Sequence, residues 1–133
     1  MNRWILSAGA ILAATAVMSG AFGAHALQNL LDAKAQSWYD TAVTYHMTHA
    51  IALIATGLAA LIAGNAGSRA FRISAACFLG GVLLFSGSLY TMAFSGITKL
   101  GIVTPFGGVL LIAGWLGLAY GASRIPFTGH EQS

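Results

Sequence analysis

Residues 41–68 read TAVTYHMTHAIALIATGLAALIAGNAGS, an apolar run without Asp, Glu, Lys or Arg between Asp40 and Arg69. A helix needs about 20 apolar residues to cross the hydrocarbon of a bilayer. This stretch is long enough, and Asp40 and Arg69 bound it as charged ends. The same pattern recurs between Arg3 and Asp32, between Arg72 and Lys99, and between Lys99 and Arg124. Such segments predict an all-α fold, an integral membrane four-helix bundle. The helices are expected over about 4–26, 38–63, 69–95 and 105–122, within a single membrane domain spanning 1–133.

Composition agrees. The 133 residues are 57% hydrophobic and 7% charged, and the mean hydropathy is +0.77. A soluble domain carries about 25% charged residues. The net charge of +3 comes from basic residues at segment ends, where they set topology. Lipid is therefore the expected partner, and nucleic acid is not. Cys77 is the single cysteine. It makes no internal disulfide and is expected to pack as a small apolar residue.

The N-terminal segment has two readings. Arg3, an apolar run and Ala24-His25-Ala26 resemble a signal peptide with its small-residue cleavage site. The apolar run from Trp4 to Ala26 exceeds the roughly 7–15 residues of such a segment, so a retained first helix is expected. Beyond it, Leu27–Gln36 reads as a polar loop or short interfacial helix. Ser37-Trp38-Tyr39-Asp40 has capping-box spacing, which starts the second helix near Trp38. Gly64-Asn65-Ala66-Gly67 ends that helix, and Ser68 is a candidate cap for the third. Thr104-Pro105 reads as a cap followed by proline in the first turn of the fourth. Ile102-Val103 is then irregular backbone near the membrane edge, a candidate lid.

Arg3, Arg69, Arg72 and Arg124 fall on one side of this arrangement, and Lys34 and Lys99 on the other. That bias predicts both termini inside. Trp4 and Tyr120 suit the inner interface, Trp38 and Tyr39 the outer one. Small residues recur every four positions: Thr15, Ser19 and Gly23; Ala16, Gly20 and Ala24; Ala113, Gly117 and Gly121. Such stripes let membrane helices approach closely. Packing within the bundle is expected to use them, and a dimer face or a larger membrane complex is the alternative.

The polar side chains are placed by depth. His46 and His49 share one face of the second helix, about 27 and 22 Å above Gly64 at the helical rise. Ser86, Ser88 and Tyr90 lie roughly 24–30 Å along the third helix. His25 ends the first helix and Thr104 opens the fourth. His25, His46, His49, Ser86, Ser88, Tyr90 and Thr104 thus form a candidate polar cluster near the outer face. Four uses are open to it. The side chains can satisfy one another and fix helix register. His25, His46 and His49 can hold a transition metal, with Asp40 more distant. A haem or quinone can bind at His25 and His49, although His46 and His49 lie on one side and cannot both be axial to one haem. A proton or solute path is the fourth, opposed by the lack of Asp, Glu, Lys or Arg inside the segments and of a polar trail to the inner side. His130 lies in the polar tail and is expected to be solvated. No nucleophile elbow, phosphate loop, paired carboxylates or HExxH is present, so the chain is not expected to be an enzyme by itself. Gly107-Gly108 lacks the strand that a dinucleotide fingerprint requires.

Four blocks, Gly20-Ala21-Phe22-Gly23-Ala24-His25-Ala26-Leu27, Tyr45-His46-Met47-Thr48-His49-Ala50, Leu84-Phe85-Ser86-Gly87-Ser88-Leu89-Tyr90 and Val103-Thr104-Pro105-Phe106-Gly107-Gly108, resemble the signature blocks of the DUF423 family. These are small four-helix bacterial membrane proteins, related to the eukaryotic transmembrane protein 256 group. The resemblance covers nearly the whole chain, with the blocks in order. It implies a bacterial inner (plasma) membrane location and brings no activity, because the family is one of unknown function. His25, His49, Ser86, Tyr90, Thr104, Pro105, Gly107 and Gly108 match the pattern, and His46 fits it less closely. The expected function is a small binding or accessory membrane protein, with a metal, haem or quinone site at His25 and His49 as the alternative.

Overall fold

The computed structural model describes residues 3–127. Its elements are α1 (Arg3–His25), α2 (Ala33–Ala63), α3 (Ser68–Ser95), a short 3₁₀ helix (Thr98–Ile102) and α4 (Thr104–Ser123). Each of the four α-helices, the last taken with the 3₁₀ helix, is long and apolar enough to cross a membrane. They pack in chain order: α1 on α2, α2 on α3, α3 on α4, with a slight touch between α2 and α4. The two inner helices carry most of the burial, and α1 and α4 lie on the flanks with much of their surface outward. The main core joins Ile5 of α1, Ala52 and Leu53 of α2, Ala75, Phe78 and Val82 of α3, and Leu111 of α4.

Several boundaries differ from those expected. α2 begins at Ala33, not Trp38, because Asp32 accepts the Ala35 amide at 2.8 Å and serves as its N-cap. Residues 27–31 form turns and bends, with no interfacial helix. Asp40 accepts the Gln36 side-chain amide at 2.8 Å, a helical neighbour four residues away, and closes no capping box. Ser68 is the first residue of α3 and does not cap it. The N-cap is Gly67, whose φ of 67°, with 59° at Gly64, gives the α2–α3 turn a left-handed backbone that side chains disfavour. Residues Thr98–Ile102 are an ordered 3₁₀ helix leading into α4. Thr104 is the first residue of α4 and spends its hydroxyl on Ser88.

The helix contacts follow a period of seven rather than four. On α4, Gly107, Gly114 and Gly121 are buried. Opposite them stand Phe85, Phe78 and Phe71 of α3, spaced by seven in the antiparallel sense. A Cβ at Gly114 would come within 2.6 Å of the Phe78 ring, and one at Gly121 within 2.7 Å of the Phe71 ring. On α1 the buried small residues are Gly9, Ala16 and Gly23, also seven apart, and a Cβ at Gly9 would meet Ile54 of α2 at 2.7 Å. Helices that cross at a shallow left-handed angle bring the same face back every seven residues. A four-residue stripe rotates away over the length of a span, and Ala24 and Ala113 are accordingly exposed.

Candidate functional site

α2 has three neighbours, and this separates its two histidines. Positions three apart on a helix differ by about 60° in azimuth. That is enough to turn His46 into the space between α1 and α3, and His49 toward α4. Both rings are buried.

The hydrogen bonds around His46 have a defined direction. The Thr15 hydroxyl of α1 donates its one proton to the Leu12 carbonyl at 2.8 Å. It must therefore accept from the His46 Nε2–H, 3.1 Å away. The neutral ring then has a bare Nδ1, which accepts from the Tyr90 hydroxyl of α3 at 2.9 Å. His46 thus links three helices through one imidazole. Tyr90 also stands edge-on to Tyr39, with ring centroids 5.2 Å apart. Tyr39 packs its ring where a Gly23 Cβ would otherwise sit and donates to the Ser19 carbonyl at 2.5 Å.

His49 holds the opposite tautomer. Its Nδ1–H donates to the Tyr45 carbonyl one turn earlier, at 2.7 Å. Its Nε2 faces the Trp115 indole N–H of α4 at 3.1 Å. An indole nitrogen only donates, so this Nε2 must accept. Trp115 further packs edge-on against Phe78, at 5.2 Å between centroids.

The remaining residues form separate links. The Ser86 hydroxyl crosses from α3 to the Ala42 carbonyl of α2 at 2.8 Å. Ser88 donates to the Phe85 carbonyl at 2.9 Å, so the Thr104 hydroxyl donates to Ser88 Oγ at 2.5 Å. Deeper in the bundle, Ser74 donates to the Gly114 carbonyl at 2.6 Å. The expected His/Ser/Tyr cluster is thus seen, built as interhelical brackets: His46 to Tyr90, His49 to Trp115, Ser86 to Ala42 and Thr104 to Ser88. His25 does not join it: the side chain is exposed at the end of α1. His130 lies outside the described residues. Among the described residues, no three His, Cys, Asp or Glu side chains assemble into a metal-binding group. The three histidines expected to share a metal are separated because the azimuth of α2 sends His46 and His49 to different neighbours.

Trp115, Thr15 and Tyr39 were not singled out as site residues in the sequence, yet each completes a bracket. Trp115 carried a usable signal: an indole N–H eleven residues inside the fourth helix needs an acceptor there. Thr15 read as a member of a small-residue stripe, where its hydroxyl carries no separate signal.

Between α2 and α4, where the helices barely touch, lies a groove of about 510 Å³. Its lining includes Tyr45, Thr48, Phe85 and Leu111, together with the His49–Trp115 pair. Thr44 turns its hydroxyl back to the Asp40 carbonyl at 3.0 Å. The hydroxyls of Tyr45 and Thr48 have no hydrogen-bond partner among the described residues, and both residues are exposed.

Comparison with known proteins places these features in a family. The model of the protein family of unknown function DUF423 matches residues 19–108. A UPF0382 membrane protein of Haemophilus influenzae is 45% identical over 108 residues, 81% of this chain and 84% of the relative. The UPF0382 membrane protein YwdK of Bacillus subtilis is 40% identical, over 87% and 93% of the two chains. The UPF0382 inner membrane protein YgdD of Escherichia coli is 37% identical over 132 residues, 98% of each. No solved structure gives a significant match.

Proposed function

The chain belongs to the DUF423 family of integral membrane proteins of unknown function, and on that premise we propose a small binding or accessory protein of the bacterial inner membrane, its histidines bracing the helices and its α2–α4 groove receiving a ligand. The relatives' names support the location. The arginine-rich end, facing inward, gives both termini inside by the positive-inside rule.

One observation carries the binding role: the groove offers two hydroxyls, on Tyr45 and Thr48, without a hydrogen-bond partner among the described residues, beside a largely apolar wall. A hydroxyl in hydrocarbon costs free energy until it meets an acceptor. A carbonyl on an apolar body, as in an acyl ester or a quinone, supplies one. The histidines suit bracing better than ligation, because every ring nitrogen of His46 and His49 is already engaged. A metal or haem at His49 would have to displace Trp115, and His25 sits apart from both. A quinone needs no such displacement, so within the alternative reading it is the cofactor that fits. The exposed apolar flanks of α1 and α4 suit the lipid bilayer as partner, and a second copy or a larger membrane complex would dock on the same flanks.

The test is mass spectrometry of molecules extracted from the detergent-purified protein, beside a Tyr45→Phe/Thr48→Val variant. A carbonyl-bearing amphiphile enriched over a micelle blank, and reduced about tenfold or more in the variant, is expected from losing two hydrogen bonds of about 1 kcal/mol each. Equal recovery from both proteins would remove the groove as the binding place. Stoichiometric metal or haem, lost in a His25→Ala/His49→Ala variant, would replace the proposal with the cofactor reading.

A further inference from the structure

The opposite end of the molecule carries a second feature, independent of the groove. Arg3 of α1, Arg69 and Arg72 of α3, and Arg124 after α4 all reach the surface around the α2–α3 turn. Among the described residues the acidic side chains are Asp32 and Asp40, both at the other end; Glu131 lies outside them. The arginines therefore stand together without a carboxylate among the described residues.

They are also distributed in pairs. Arg69 and Arg124 line one cleft of about 720 Å³ together with Tyr120. Arg3 and Arg72 line another of about 470 Å³. Asn65 and Ser68 border both, so the two clefts share one rim. The Tyr120 hydroxyl accepts Arg124 Nη2 at 3.0 Å and Nε at 3.2 Å, which fixes the guanidinium without neutralising it. α3 starts on this rim with no side chain capping its first amides, in contrast to α2 and its Asp32. Uncapped N-terminal amides favour anions, and guanidinium groups match phosphate oxygens. Topology alone requires only an excess of basic residues at this end. Paired clefts with a common rim and open amides are a more specific arrangement.

We propose that this end binds the headgroup of an anionic phospholipid carrying two phosphodiesters, one seated in each arginine-lined cleft, with the acyl chains running up the flanks of the bundle. The test uses the full chain in detergent, with native mass spectrometry and the thermal midpoint as readouts. The probes are diphosphatidylglycerol, phosphatidylglycerol, phosphatidylethanolamine and inorganic phosphate. Arg69→Gln/Arg72→Gln removes one arginine from each cleft, at exposed positions that the bundle core does not use. Lys34→Gln/Lys99→Gln removes the same charge at the far end. Each basic side chain near an anionic headgroup contributes enough that losing two should weaken retention of diphosphatidylglycerol about thirtyfold. The lysine variant should bind as the unaltered protein does, and Arg69→Lys/Arg72→Lys, which keeps the charge without the guanidinium, should recover part of the loss. Phosphatidylglycerol should bind more weakly than the two-phosphate lipid, and phosphatidylethanolamine should not be retained. Undiminished binding by the Gln arginine variant, or equal weakening in the lysine variant, would overturn the proposal. So would equal retention of phosphatidylethanolamine, and inorganic phosphate protecting as well as the lipid would reassign the clefts to a soluble anion.

Discussion

Gly107→Ala is expected to destabilise the bundle by about 3 kcal/mol, the upper end of the usual range for overpacking. The added Cβ would overlap the backbone nitrogen of Phe85. Backbone cannot rotate aside as a flexible side chain can. Relief would require α4 to move away from α3, and that movement would also lift Gly114 from Phe78 and Gly121 from Phe71, because the three contacts lie along one seam. Membrane helices associate through packing and polar contacts, with little hydrophobic drive between them, so a seam opened at one point loses its neighbours as well. Gly87→Ala provides the control. Nothing lies within 4 Å of the Cβ that it would add, and alanine is the better helix former by up to about 1 kcal/mol. It should be neutral or slightly stabilising. Unfolding in mixed micelles with increasing SDS reads both, and equal effects of the two exchanges would show that the α3–α4 seam is not closely packed.

His46→Leu is expected to cost about 2 kcal/mol. The leucine fills most of the space but leaves the half-buried Tyr90 hydroxyl without its acceptor, and a hydroxyl orphaned in apolar surroundings costs about 1–3 kcal/mol. Thr15 is less affected, since its own proton already goes to Leu12. The bracket therefore predicts a non-additive pair. Tyr90→Phe, added to His46→Leu, removes the orphaned group and should return about 1 kcal/mol, so that the double variant is more stable than His46→Leu alone. His46→Gln, which keeps a donor and an acceptor, should lie between the unaltered protein and His46→Leu. The same SDS titration measures all of these, and additive losses in the double variant would show that His46 and Tyr90 are not coupled.

The spans were legible because the signal that marks them is coarse. Charge is excluded from hydrocarbon whatever the helices do beside one another, so the gaps between charged residues alone locate the helices. Their ends were less legible, since they depend on which of several polar residues wins the free amides: Asp32 rather than Ser37 starts α2, and Gly67 rather than Ser68 precedes α3. Counting residues placed Ser86, Ser88, Tyr90 and Thr104 at one level, and Ser88 does meet Thr104. Counting could not give azimuth. Which neighbour a residue faces depends on how three helices surround α2, and that divided His46 from His49 and left His25 outside. The heptad of Gly107, Gly114 and Gly121 was present in the sequence but masked by the four-residue stripe of Ala113, Gly117 and Gly121. Only the crossing geometry selects between them.

The histidine tautomers test the bracing role most directly. Nitrogen NMR of the ring-labelled protein in micelles at neutral pH distinguishes protonated from bare nitrogens at each ring. The hydrogen bonds predict two neutral rings of opposite form, with the proton on Nε2 in His46 and on Nδ1 in His49. Trp115→Phe should perturb His49 alone, and Tyr90→Phe His46 alone. Two rings of the same tautomer, or nitrogen shifts typical of metal ligation, would contradict the account and return the histidines to a cofactor site.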